Sequence, residues 1–178
     1  MKKMNYLLSV VLVALLLVGC AKTTSQEKTT SQERTFNQFG ISFTCPSGWE
    51  IEEDVEDEGY YQINVEKSGI NSSGIVSIVV MEKEMDLFDY IAIYQESISS
   101  QSLYKQLKMD DVIVANYGQY AGVSSHYTAN ILRLPHEGRM YAFQSNGKLI
   151  YVLEQEAVED KEKNAAGFQT IRESLKIE

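Results

Sequence analysis

One short pattern in the chain contains the residue types of a nucleophilic enzyme. Ser102 and Lys105 have the Ser-x-x-Lys spacing, in which a lysine amine can take the proton of a serine hydroxyl. The same spacing occurs at Ser25 and Lys28, inside a low-complexity segment, so the pattern arises easily by chance. Neither copy is accompanied by a Ser-Asp-Asn or Lys-Thr-Gly motif. The spacing alone therefore does not predict a hydrolase.

The two histidines are the next candidates for chemistry. His126 follows Ser124 and Ser125, but neighbouring residues of a strand point to opposite faces, and no nucleophile-elbow sequence surrounds them. Neither His126 nor His136 has a cysteine or a third histidine at the spacing of a zinc site. We therefore expect a protein that is not an enzyme and that holds no metal and no cofactor.

The N-terminus contains a pattern for export. A short basic start is followed by an apolar run from Tyr6 that ends in the residues LVGC, of which the cysteine is Cys20. This run is too short to cross a bilayer comfortably, which indicates a cleaved secretory signal. LVGC also resembles the lipobox of bacterial lipoproteins, which implies cleavage before Cys20 and lipidation of its thiol. Residues 1–19 are therefore predicted to be a lipoprotein signal peptide, with an ordinary cleaved signal or an uncleaved anchor helix as alternatives.

Lipidation would place the protein on the extracytoplasmic face of the cell membrane, anchored in the bilayer through Cys20. Removal of residues 1–19 takes away two lysines and no acid, so the formal net charge moves from −9 to −11. An acidic protein is poorly suited to bind nucleic acid, which requires neutralisation of phosphates. The same charge keeps the soluble part away from an anionic bilayer except through its lipid.

Residues 20–35 are predicted to be the lipidated cysteine and a flexible tether. The segment after Cys20 contains the sequence TTSQE twice and no large apolar residue before residue 36. Such a segment cannot offset its ordering entropy by burial. We interpret the repeat as a spacer; a binding epitope is the alternative.

A run of acids between residues 52 and 58 is the strongest charged feature of the chain. Only Val55 interrupts it, and Gly59 follows it. The run lacks the alternating ligands and the distant glutamate of an EF-hand calcium loop. It is predicted to be a solvated loop of mutually repelling carboxylates, with a cation site or a site for a basic partner as alternatives.

Strand-like periodicity dominates residues 36–178, which we predict to form one domain. Ile41, Phe43 and Cys45 alternate with polar residues, so Cys45 is predicted to be a small buried side chain rather than a reactive thiol. Further strands are predicted at 60–67, 74–81, 112–116, 122–134, 139–144 and 148–155.

Turns and helices complete this pattern. Asn146-Gly147 predicts a tight hairpin turn, and residues 135–138 predict a second turn. Asp86 is predicted to cap a helix that residues 103–107 continue, and a closing helix presents its apolar stripe over residues 165–175. Helices on an antiparallel sheet predict an α+β fold, an α-β-α sandwich with a central, mainly antiparallel sheet.

Several of these features together resemble the PsbP-like family. The first is the segment GISF at Gly40–Phe43, followed by PSGW at Pro46–Trp49. The others are a central helix, a meander that contains Tyr127, Tyr141 and Tyr151, and a closing helix with the residues F-x-x-I-x-x-S-L at Phe168–Leu175. The resemblance spans the whole soluble domain. It implies an α-β-α sandwich that binds another protein without catalysis.

Two functions follow as expectations. The first is a membrane-anchored, non-catalytic interaction module that docks a protein of the cell envelope. The second is a lipoprotein that binds a solute or ligand in a pocket between sheet and helix. For the first, acids and exposed aromatic side chains supply steering and contact area. The candidate binding residues are Glu53, Asp54, Glu56, Asp57, Tyr60, Tyr61 and Tyr120.

Overall fold

A computed structural model of the chain describes residues 32–57, 59–69 and 72–178, and the side chains of all of these except 53–57. The predicted signal peptide and most of the predicted tether lie outside the described residues. The described part forms eleven strands and two helices, in the order β1 Arg34–Gln38, β2 Ile41–Cys45, β3 Trp49–Asp57, β4 Tyr60–Lys67, β5 Ile75–Met81, α1 Leu87–Ser100, β6 Tyr104–Met109, β7 Ile113–Tyr117, β8 Tyr120–Ile131, β9 Leu134–Ser145, β10 Lys148–Ala157, α2 Lys161–Ser174 and β11 Lys176–Ile177.

Most strands belong to one large antiparallel sheet. Its order is β3-β4-β5-β10-β9-β8-β6, and β7 also pairs with β8. A small second sheet has the order β1-β2-β11. The predicted α+β class with a mainly antiparallel sheet is confirmed.

Each face of the large sheet has its own apolar cluster and its own helix. On β10, Leu149 belongs to a cluster with Ile91 of α1, whereas Ile150 belongs to a cluster with Ile171 of α2. Successive residues of a strand point to opposite faces, so the two helices cover different faces of the sheet. We call them the α1 face and the α2 face. The small sheet packs on the α2 face.

Helix α1 begins where its cap was predicted. The carboxylate of Asp86 accepts hydrogen bonds from the backbone N–H groups of Phe88, at 2.9 Å, and Asp89, at 3.1 Å. The predicted continuation through residues 103–107 is wrong, because Tyr104–Met109 forms β6. The outer edge of β8 offers this segment backbone partners, and Tyr104 pairs with Ile131.

Of the two predicted turns, one is confirmed. Asn146 and Gly147 have positive φ angles of 51° and 75° and join β9 to β10. The predicted turn at residues 135–138 is wrong, because these residues lie in β9. The turn that joins β8 to β9 comes before them in the chain, at Leu132 and Arg133. Gly138 serves close packing instead: a Cβ there would lie 2.5 Å from the hydroxyl oxygen of Tyr127.

The acidic run is not a loop, contrary to the prediction. Residues 52–57 belong to β3, which pairs with β4 from Trp49 opposite Lys67 to Asp57 opposite Tyr60. β3 is an edge strand of the large sheet. Edge strands accommodate charges well, because one side of the strand faces solvent, and charge there opposes pairing with other chains.

The N-terminal part of the domain packs as its alternation predicts. The free thiol of Cys45 is fully buried, as predicted, and burial raises its pKa. Trp49 is also buried and meets the ring of Phe168 edge-on at 5.5 Å. β1 begins at Arg34, inside the segment predicted as tether. Neither helix of the described residues has the length and apolarity needed to cross a membrane.

Candidate functional site

A charged cleft of about 410 Å³ opens on the α2 face, between strands β8 to β10 and helix α2. Its centre is a row of three side chains from neighbouring strands, since His126 of β8 lies opposite Arg139 of β9 and Arg139 lies opposite Glu154 of β10. The lining also includes Glu137, Tyr141, Glu156, Lys161, Gln169 and Arg172.

A buried ion pair occupies one wall of the cleft. Glu154 is only 7% exposed, and its carboxylate accepts hydrogen bonds from Nε of Arg172, at 3.3 Å, and from Nη2, at 2.5 Å. The guanidinium carbon lies 5.7 Å from the ring centre of Tyr117 and 5.8 Å from that of Tyr141. Burial raises the pKa of Glu154, and the charge of Arg172 opposes that rise. The two hydrogen bonds therefore join α2 to β10, and the guanidinium also lies near aromatic rings of β7 and β9.

A second group of charges surrounds Glu137. Nζ of Lys161 lies 2.6 Å from Oε1 of Glu137, and this hydrogen bond raises the pKa of Lys161. His126 lies between two carboxylates, with Nδ1 3.3 Å from Asp110 and Nε2 3.8 Å from Glu137. Both imidazole nitrogens therefore face carboxylates.

Ser125, the serine directly before His126, does not complete a catalytic arrangement. Ser125 donates its hydroxyl hydrogen bond to the carbonyl of Asp110 at 2.8 Å and accepts one from Gln95 of α1 at 2.9 Å. Those contacts place it on the α1 face, whereas His126 lines the cleft of the α2 face. A serine and its base must lie within hydrogen-bond reach of each other. The adjacency in sequence therefore creates no nucleophile here.

Two buried side chains near the junction of α2 and β10 each have one polar atom that is poorly satisfied. Burial raises the pKa of Glu156 and the nearby amide of Asn164 opposes that rise, but Oε2 of Glu156 makes no hydrogen bond of normal length with the described residues. Asn164 is fully buried; its Oδ1 accepts a hydrogen bond from Nζ of Lys67 at 3.1 Å, but its Nδ2 makes no hydrogen bond of normal length with the described residues. Buried polar groups without a good hydrogen bond are costly, so this junction is a locally unfavourable part of the fold.

Arg139 is the cation of the cleft that is most open to a partner. Its side chain is exposed, and it forms no ion pair with the carboxylates that the structure describes. A guanidinium presents several donors in a plane and binds carboxylates and phosphates well. Arg139 can therefore bind an incoming anion without first breaking an ion pair.

The predicted binding tyrosines do not share one exposed surface. Tyr60 packs with the cluster of the α1 face, whereas Tyr61 packs on the α2 face and stacks on Phe39 at 4.3 Å. Tyr120 stacks on Phe143 at 4.9 Å, and its hydroxyl accepts a hydrogen bond from the backbone of Ile177. All three are half-buried, because they complete the core at its margins.

None of the candidate binding residues lines the cleft. The four acids, Glu53, Asp54, Glu56 and Asp57, lie in β3, at the opposite edge of the sheet from β8.

Of the charged residues that form the cleft, the sequence singled out His126 but not Arg139, Glu154 or Arg172. One pattern could have indicated them: Glu154 and Glu156 continue the alternation of Ile150 and Val152, so they are acids at core-facing positions of β10. Arg172 is a charged residue directly after Ile171, a buried residue of the closing helix. A charged residue at a core-facing position is a better indicator of a site than a run of surface acids.

Comparisons with known proteins identify the fold. No protein-family model matches the sequence, and no curated protein matches it significantly. The solution structure of cyanobacterial PsbP (CyanoP) from Synechocystis sp. PCC 6803 is similar, with a TM-score of 0.59 and 14% identity over 89% of this chain and 98% of that chain.

Two crystal structures are similar at a comparable level. One is a protein from Bacteroides thetaiotaomicron VPI-5482, with a TM-score of 0.53 and 15% identity over 83% of this chain and 49% of that chain. The other is LpqN, involved in cell envelope biogenesis of Mycobacterium tuberculosis, with a TM-score of 0.52 and 11% identity over 82% of this chain and 90% of that chain. The chain therefore has a PsbP-like fold.

Proposed function

We propose that this protein is a membrane-anchored lipoprotein of the extracytoplasmic face, whose PsbP-like α-β-α sandwich domain binds an envelope protein without catalysis. The observation that carries the proposal is the cleft of the α2 face. It brings together cations and carboxylates but, among the described residues, no serine or cysteine beside a base. Such a surface recognises charge rather than transforms a substrate.

A protein partner suits the arrangement of charges. Arg139 is available for a carboxylate of the partner, while Lys161 and Glu137 can exchange their mutual ion pair for contacts with a partner. Pairs at an exposed rim contribute little to stability, so such an exchange costs the fold little. The rings of Tyr141 and Phe168 supply apolar area in the same cleft. The neighbour LpqN acts in cell envelope biogenesis, which agrees with an envelope partner.

A solute-binding role is the second candidate. A volume of about 410 Å³ lies within the range of small-molecule sites, roughly 300–1,000 Å³. Glu156 belongs to the lining of this cleft, and a rotation of its carboxylate would let it accept a hydrogen bond from an amine or amide of the solute. Binding of such a solute would raise the melting temperature of the purified protein, and would not require any protein in the membrane.

Crosslinking tests the partner. A photoreactive amino acid in place of Gln169, which is exposed beside the cleft, should trap one envelope protein in intact cells. The charge reversal Arg139→Glu should weaken this capture about tenfold, which corresponds to about 1.4 kcal/mol. Lys176→Glu, an exposed cation outside the cleft lining, is the matched control. Equal loss with both variants would show a general effect of charge and contradict the cleft as the contact.

The anchor has a separate test. Cys20→Ala should abolish labelling with a fatty-acid analogue and yield a soluble or unprocessed form, because the acyl chains supply the membrane affinity. A variant that still takes up the label and partitions with detergent would overturn the lipoprotein proposal.

A further inference from the structure

Three exposed leucines lie together at one end of the large sheet. Leu132 is 80% exposed, Leu134 is 48% exposed and Leu103 is 45% exposed. Leu134 pairs with Ile131 across the hairpin of β8 and β9, and Ile131 pairs with Tyr104, which follows Leu103. Register therefore places all three at the same corner, which we call the leucine tip, together with the exposed cation Arg133.

The turn at this corner has a backbone conformation that is unfavourable for its residues. Leu132 and Arg133 have φ angles of 51° and 73°, in the left-handed region that residues with a branched or long side chain seldom adopt. The turn between β9 and β10 also has two positive φ angles, but there the residues are Asn146 and Gly147, which adopt such angles at little cost. At the leucine tip, neither the backbone conformation nor the exposed Leu132 side chain stabilises the fold. A contact outside the domain would account for both features.

The tether enters the domain at this same end of the large sheet. Arg34, in the first strand, pairs with Cys45, whose Sγ lies 3.5 Å from the carbonyl oxygen of Trp49. Trp49 is the first residue of β3. The antiparallel pairing places it at the same end of the sheet as the end of β4, the start of β5, the end of β10 and the start of β9, where the leucine tip lies. A tether attached here draws this end of the domain toward the surface that holds Cys20.

The length of the tether keeps that surface within reach. The chain from Cys20 to Arg34 can span at most about 50 Å, and a spacer of this length, as predicted from the sequence, would average roughly 20 Å. A lipid at Cys20 would therefore hold the tip close to the bilayer interface. The net charge of the mature chain is −11, so an attractive contact with an anionic membrane has to be local and largely apolar.

We propose that the leucine tip inserts into the outer surface of the phospholipid bilayer and orients the domain on it. This inference rests on the proposed lipid anchor at Cys20. Leu132, Leu134 and Leu103 enter the interface between headgroups and acyl chains, and Arg133 meets the lipid phosphates. Lys105 supplies a further exposed cation near the tip, while Glu159 is an exposed acid at the same end of the sheet.

Fluorescence of the full lipidated chain in vesicles tests this contact. Leu132→Cys is labelled with an environment-sensitive dye and the chain is reconstituted in phosphatidylcholine, with or without phosphatidylglycerol. The dye should shift to the blue and be quenched by spin-labelled lipid. Val114→Cys is the matched control, since Val114 is 78% exposed but lies on β7, toward the other end of the sheet. The native thiol of Cys45 is buried and should label only slowly.

A second variant separates contact from folding. Leu132→Asn combined with Arg133→Gly gives this turn the residues of the other hairpin, so the melting temperature should stay equal or rise. The dye at Leu103→Cys should then lose its quenching by lipid. Retained quenching in this background would overturn the role of the turn in lipid contact.

The remaining outcomes are also decisive. If Cys20 takes up the fatty-acid label but the dye at position 132 stays in water, the lipid contact of the leucine tip is overturned and the anchor stands. Shielding of the dye in native membranes but not in pure lipid would overturn the lipid contact in favour of a protein contact. Absence of fatty-acid labelling at Cys20 would overturn the anchor and the inference together.

Discussion

The two faces of the large sheet differ in how completely a helix covers them. On the α1 face, Tyr94 stacks on Tyr151 with ring centres 3.7 Å apart, and Tyr90 meets Tyr94 edge-on at 5.2 Å. On the α2 face, Ile171 is fully buried, but the neighbouring Arg172 faces Glu154 in the charged cleft. One face is closed by aromatic packing, whereas the other combines a core with a site.

This difference shows where the fold can accommodate polar function. Strand alternation lets the same strands supply both layers, so a charged residue on one face does not disturb the other face. Glu154 is buried with Arg172 as its partner, and Glu156 is buried with one oxygen that makes no hydrogen bond of normal length with the described residues. The α2 face therefore gives up some stability for the cleft. The following predictions test this contrast.

The largest effect should come from the apolar cores of both faces. Ile91→Ala on α1 and Ile171→Ala on α2 each remove a fully buried side chain, so each should lower the free energy of unfolding by about 2–5 kcal/mol. Urea unfolding followed by circular dichroism measures both. Because the two layers share the strands of one sheet, each variant should show one transition. Two transitions in either variant would mean that the faces unfold separately.

A smaller loss should follow from Gly167→Ala on α2. Alanine normally stabilises a helix interior relative to glycine, but a Cβ at this position would lie 2.4 Å from the indole ring of Trp49. We expect destabilisation by about 1–3 kcal/mol, measured by urea unfolding. In a Trp49→Phe background the same substitution should cost less, because the smaller ring leaves room. Equal costs in both backgrounds would contradict the proposed clash.

The smallest effect should come from Glu156→Gln and should depend on pH. Burial raises the folded-state pKa of Glu156 above its unfolded value, so the native state binds more protons as the pH passes between the two values. The contribution of this group to stability is therefore present below the unfolded-state pKa of about 4 and is lost as the pH rises through the folded-state pKa. The glutamine variant should be more stable than the parent by about 1 kcal/mol at pH 7 and equal to it near pH 4.

Thermal unfolding at both pH values measures this difference. Glu159→Gln, at an exposed position on the same segment, is the control and should show no such trend. A difference of the opposite sign would mean that the ionised Glu156 is stabilised by a partner.

Much of the fold followed from local patterns. The alternation of Ile41, Phe43 and Cys45 predicted a buried strand face, and Asp86 predicted the start of α1. Asn146-Gly147 predicted the hairpin turn, because few residue pairs adopt two positive φ angles easily. These features depend on interactions within a few residues, so the sequence by itself determined them.

The tertiary structure decided the remaining features. The segment of β6 has helical spacing, but it became a strand because β8 offered unpaired backbone groups along its edge. The acids of residues 52–57 became an edge strand because β4 supplied the hydrogen bonds that no local pattern shows. The cleft joins His126, Glu154 and Arg172, which lie on separate elements, so no spacing in the sequence could indicate that they meet. Pairing and packing between distant segments determine such contacts, and their energies outweigh local propensity.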